Sequence, residues 1–145
     1  MMRWIKKQQY NPILQIAAVK KLYPQFSFII NPRDMGQITF TGNLQPHENM
    51  PVYTVKISYR SWKNPRVKVI SPELVKKPLH FYQKTKTLCL YHPKKFTWKK
   101  EYPIATSIIP WVSSWLYFYE VWKQTDKWYG EEAEHDSIDS KIQNN

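Results

Sequence analysis

The alternation between Pro51 and Arg60 constrains the fold most tightly. Tyr53, Val55, Ile57 and Tyr59 fall on one face of an extended chain, and Thr54, Lys56 and Ser58 on the other. A period of two over this length predicts a half-buried strand. Gln25 to Asn31 is rich in aromatic and branched residues and reads as another strand. Gln37 to Gly42, with Ile38 and Phe40 alternating with polar neighbours, reads as a third. Asn31 to Gly36 is a turn, and Leu44 to Pro51 a longer loop bounded by prolines. A turn from Trp62 to Pro65 leads into a short strand, Val67 to Ile70. These spacings suit an antiparallel meander of about four strands.

Helices flank the meander. Asn11 and Pro12 precede Ile13, Leu14, Ile16, Ala17, Val19 and Leu22, so a helix is predicted with Asn11 as cap and Pro12 in its first turn. Pro24 ends it. Ile104, Ile108, Trp111, Val112, Trp115, Tyr119 and Trp122 recur at helical spacing. A helical region is therefore expected from Trp98 to Trp122, broken or kinked at Pro110, which starts its longer part. Between sheet and helix, Ser71 to Thr97 has no sustained period and is interrupted by Pro72, Pro78 and Pro93. Such a long irregular loop is often functional. The whole is an α+β domain with a small antiparallel sheet. One domain is expected over residues 1–130, followed by an acidic, polar tail at 131–145 that frays.

Charge and composition narrow the partners. The chain of 145 residues carries a formal charge of +11. Glu131, Glu132, Glu134, Asp136 and Asp139 gather in the tail, so the preceding body is more basic still. Such a body is either a solvated basic surface or one that attracts acidic partners. Met1 to Lys7 is basic but no apolar run follows, so no signal peptide is expected. No stretch is apolar for long enough to span a membrane. One cysteine cannot close an internal disulfide, and a cytoplasmic location is expected.

That cysteine, Cys89, stands in the segment Pro78 to Trp98, with His80 and Tyr82 before it and His92 and Trp98 after it. A thiolate is the nucleophile in acyl transfer, and a free thiol ionises near pH 8.5. Lys84, Lys86, Lys94 and Lys95 flank Cys89 and would favour the thiolate electrostatically. The alternative is a buried cysteine acting as a small hydrophobe between Leu88 and Leu90. The four histidines (His47, His80, His92, His135) and one cysteine offer no close ligand pair, so no metal is expected. The chain has three glycines and no phosphate loop, and nothing points to a cofactor.

The order of elements, with a lone cysteine after the sheet, resembles the ubiquitin-conjugating-enzyme (UBC) fold. Leu88-Cys89-Leu90 resembles that family's cysteine motif. Trp98 resembles its tryptophan, one residue further on. Pro103, Ile104 and Ile108 resemble the start of the helix behind it, Tyr53, Val55 and Ile57 its third strand, and Pro72 the proline after the sheet. The family's His-Pro-Asn is missing; with Tyr82 on the family tyrosine, His80 falls on the Asn. Gln83 to Thr87 lacks the usual glycine. These departures, with Trp111, Trp115-Leu116, Tyr119-Glu120, Trp122, Trp128, Gly130 and an ending at His135, resemble the bacterial conjugating-enzyme relatives of anti-phage CBASS operons.

The resemblance implies a transferase that holds a protein's C-terminal carboxylate as a thioester on Cys89 and passes it to an amine. It implies a donor ending in glycine, either a cGAS-like nucleotidyltransferase or a ubiquitin-like protein. The activating step with ATP then occurs elsewhere, in a separate activating enzyme or by another route. His80 would donate to the oxyanion, act as base for the amine, or only fix the loop. Tyr82 and Trp98 are supporting positions. His92 would tune the thiol or gate access, and His135 would fold over the site from the tail. Two other functions are open: a non-catalytic relative that binds partners, and a basic nucleic-acid-binding module. The second is disfavoured because no RNA- or DNA-binding motif is present.

Overall fold

The computed structural model describes residues 12–60 and 63–130. The predicted cap Asn11, Trp62 of the predicted turn, the acidic tail and His135 lie outside the described residues. The order is α1 (Pro12–Leu22), β1 (Ser27–Asn31), β2 (Asp34–Leu44), β3 (Tyr53–Arg60), β4 (Lys63–Ser71), β5 (Phe81–Tyr82), β6 (Thr87–Leu88) and α2 (Ile108–Thr125). β1 to β4 form an antiparallel meander in chain order, and β5–β6 a separate small hairpin.

The alternation read from the sequence decides which face of the sheet is buried. Tyr53, Val55, Ile57 and Tyr59 are each at most 1% exposed. On the neighbouring strands Ile38, Phe40 and Val67 share that face. α2 supplies the other half of the core through Ile108, Ile109, Val112, Trp115, Leu116 and Tyr119. The inward tyrosines bury their rings and place their hydroxyls on partners. Tyr53 donates to the Glu120 carboxylate of α2, and Tyr59 donates to the Lys100 carbonyl at 3.1 Å. Burial, and then the Glu120 carboxylate, push the Tyr53 phenol well above its usual range.

Two details join α1 and the segment after it to this core. Gly42 faces the Phe26 ring so closely that a Cβ there would lie 2.4 Å from ring atoms. Gln15 of α1 is buried, donates to the Tyr102 carbonyl at 2.9 Å and accepts from the Ile104 N–H at 2.9 Å. Its amide thereby satisfies two backbone groups just before α2, which burial would otherwise leave at a cost.

The helix at the C-terminal side differs from the sequence expectation. Residues 98–107 form turns and irregular chain, and α2 begins at Ile108 without a break at Pro110. Pro110 lies in the first turn, where N–H groups have no intrahelical acceptor, so its missing donor costs nothing. The helix ends at Asp126, whose left-handed backbone (φ 61°) sends its N–H to the Trp122 carbonyl at 2.8 Å. The chain then doubles back, and Trp128 packs on Trp115 and Phe118.

Candidate active site

The segment from Pro78 to Trp98 is more regular than its sequence suggests. Phe81 pairs with Leu88 and Tyr82 with Thr87, making the β5–β6 hairpin. Its four-residue turn closes through Lys86 N–H to the Tyr82 carbonyl at 2.8 Å. Lys86 adopts the left-handed conformation (φ 59°) that a glycine would take more easily. This is the stretch in which the sequence lacks a glycine. The period was invisible because two-residue strands are too short to alternate.

Cys89 follows β6 directly. Its thiol is half-buried, with Sγ 3.4 Å from the Tyr82 hydroxyl and 3.4 Å from the Tyr91 carbonyl. As a thiol the sulfur donates; as a thiolate it accepts from the phenol. Tyr82 is 45% exposed, but its hydroxyl end is turned to the sulfur. Burial and the neighbouring Cys89 hold the Tyr82 phenol well above its usual range. The Tyr91 phenol is pushed up to about 12, by burial first and by Cys89 second. Both phenols therefore stay protonated at neutral pH.

His80 organises the backbone here. Its left-handed conformation (φ 50°) aims its carbonyl at two donors. The Cys89 N–H reaches it at 2.8 Å and the Trp115 indole N–H at 2.9 Å. One carbonyl thus ties the nucleophile's backbone to α2. The His80 ring packs on Trp128, with centroids 4.7 Å apart, and its Nε2 is sealed from solvent.

The remaining predicted residues divide. His92 fixes the loop: its Nδ1 accepts from Lys94 N–H at 3.0 Å, and its carbonyl from Lys95 and Phe96 N–H. Trp98 is 7% exposed and packs edge-on against Tyr102. Lys84, Lys86, Lys94 and Lys95 are all exposed. The Tyr82 hydroxyl and the Tyr91 carbonyl are polar neighbours of the sulfur. Beneath them Tyr91, Phe96 and Trp111 meet edge to face, and Phe96 stacks on Tyr102.

Sequence reasoning missed Tyr91, Trp115 and Trp128. Tyr91 stands two residues from Cys89, which in extended chain puts both on one side. Trp115 carried a helical period and a place in the family resemblance, neither of which says where its N–H points. Among the described residues no cluster of His, Cys, Asp or Glu could hold a metal.

A helix, a four-stranded meander, a half-exposed cysteine after the sheet and an aromatic helix behind it define a ubiquitin-conjugating-enzyme-like domain. The family model for the Type II CBASS E2 protein matches residues 15–136, and the chain belongs to that family. It is a conjugating enzyme of CBASS anti-phage signalling that works through a cysteine thioester. No curated protein matches the chain. No described helix is long and apolar enough to cross a membrane.

Proposed function

We propose that Cys89 is the thioester-forming residue and that its donor is a protein ending in glycine. The cGAS-like nucleotidyltransferase of the same operon is the donor this reading favours, with a ubiquitin-like protein as the other candidate. The acyl group arrives already activated, by a separate enzyme or by another route. The Cys89 thiolate attacks the activated carbonyl, a thioester forms, and the activating group leaves. An amine then attacks the thioester carbonyl, loses its proton and expels the thiolate.

The observation that carries this reading is the half-buried sulfur at 3.4 Å from the Tyr82 hydroxyl, its backbone fixed by the His80 carbonyl. Tyr82 donates to the thiolate before attack and again as it leaves. His80 donates a ring N–H to the oxyanion of the tetrahedral intermediate. His92 keeps the loop after the cysteine in shape.

Two experiments test it. Mass spectrometry of the protein purified with its operon neighbours should find a polypeptide on Cys89 that thiol removes and Cys89→Ala lacks. An adduct that persists in Cys89→Ala overturns the assignment. His80→Gly keeps the left-handed backbone and the carbonyl but removes the ring. It should still load Cys89 and transfer about 100-fold more slowly. His80→Asn, which tolerates the same backbone and carries an amide donor, should recover most of that loss. Loss of loading by His80→Gly, with the fold intact, would refute the role given to the ring.

A further inference from the structure

The sheet has a second face, and its charge is not explained by conjugation chemistry. Side chains on β3 and β4 that point away from the core are paired across the strands. Lys56 stands opposite Lys68, Ser58 opposite Arg66, and Arg60 opposite Lys63. Like charges directly opposite one another destabilise a sheet. The fold does not need them there, because the inward residues Val55, Ile57 and Val67 already fix the register. None of these cations has a carboxylate partner among the described residues; the ion pair found there joins Lys123 to Glu120 on α2.

The same strands form a shallow groove of about 260 Å³. Arg60, Lys63, Arg66 and Lys68 line it together with the side-chain amides of Gln37 and Asn64. Arg60 is held toward the groove by a bond from its guanidinium to Gln37 Oε1 at 3.3 Å. The lining contains no carboxylate and no aromatic ring.

We propose that this outer sheet face binds nucleic acid through its phosphodiester backbone, without regard to base sequence. Guanidinium forks and ammonium groups without carboxylate partners suit phosphate oxygens, and the two arginines can bind them bidentately. The absence of aromatic platforms removes the means by which proteins stack on single-stranded bases. The groove is too small and open to enclose a whole nucleotide, so the ligand lies across it. From Lys56 to Arg60 the strand runs roughly 13 Å. One strand of a duplex places about four phosphates along that length. The sequence offered no nucleic-acid motif because these cations come from two strands and meet only across the sheet.

The test is fluorescence anisotropy with a labelled random-sequence 20-mer, as duplex and as single strand, over a range of salt. The duplex should bind, with log K against log salt falling at a slope near −3.6, as expected for about four contacts. Two duplexes of unlike base composition should bind alike. Arg66→Gln with Lys68→Gln should weaken binding more than tenfold at 0.1 M salt and make the slope shallower by about 1.8. Because this variant relieves a like-charge pair, its Tm should stay level or rise, and alkylation of Cys89 should be unchanged. Should it fold poorly, Lys63→Gln at the strand end gives the same reading with a slope change of about 0.9. No duplex binding at 50 mM salt, an unchanged slope in the variants, or polyglutamate binding as tightly as duplex each overturns the proposal.

Discussion

Ile57 in the sheet and Cys89 after it are held by different means. Ile57 is 0% exposed and sits in a strand paired on both sides. Cys89 is half-buried, and its backbone N–H is held by the His80 carbonyl, which is itself fixed by an indole of α2. The core is redundant: many apolar contacts share the load, and none is directional. The site is specified by a few hydrogen bonds with defined geometry. A nucleophile must stay reachable, so it cannot be fixed by burial, and directional bonds to the frame do the positioning instead.

The largest expected effect breaks the frame alone. Ile57→Ala should cost about 2–5 kcal/mol in chemical denaturation, because the site is too enclosed to collapse. Cys89 in the folded fraction should still alkylate at the normal rate. If its rate changed in step with stability, core and site would not be separable as described.

Trp115→Phe sharpens the comparison from the other side. The aromatic packing against Tyr119 is largely kept, but the His80 carbonyl loses its indole donor. Global stability should fall by about 1 kcal/mol. Hydrogen exchange should show the Cys89 amide losing more protection than the amides of β3. Equal losses in both would show that the carbonyl is not the anchor.

Tyr82→Phe leaves the frame alone and removes the sulfur's phenol. Alkylation of Cys89 at pH 7 should slow by about tenfold, the effect of one charge-assisted hydrogen bond at a partly exposed site (~1.4 kcal/mol). An unchanged rate would mean that the contact is incidental. The tyrosines also set a pH dependence of stability. Tyr53, Tyr82 and Tyr91 are all raised in the folded state, Tyr91 to about 12. An unfolded tyrosine ionises near 10. Their contribution is therefore full below pH 10 and is lost as pH climbs through the folded values. Denaturation midpoints should fall above pH 10, and less so in Tyr82→Phe.

The smallest effect concerns the hairpin turn. Lys86→Gly should stabilise by up to about 1 kcal/mol, because glycine adopts φ 59° without a Cβ penalty. Thermal melting checks it, and Cys89 reactivity should not change. A loss of stability would mean that the Lys86–Gln83 contact outweighs the backbone strain.

The strand Tyr53–Arg60 and the buried stripe of α2 could be read from the chain because their periods repeat over many residues. Burial on one face writes that repetition directly into the order of amino acids. His80, Tyr82 and Cys89 could be picked out as neighbours because a short span of chain must keep them close. The start of α2 was misplaced toward Trp98, since aromatic residues in the 98–107 segment fill the same core without being helical. The two-residue strands of the hairpin carry no period at all. Folding alone decided that the Trp115 N–H reaches the His80 carbonyl, that Trp128 covers the His80 ring, and that cations of β3 and β4 share one groove. Each of these joins residues distant in the chain, and each depends on the direction of a bond or a side chain. Hydrophobic pattern, which has no direction, cannot encode such a meeting; packing and register create it.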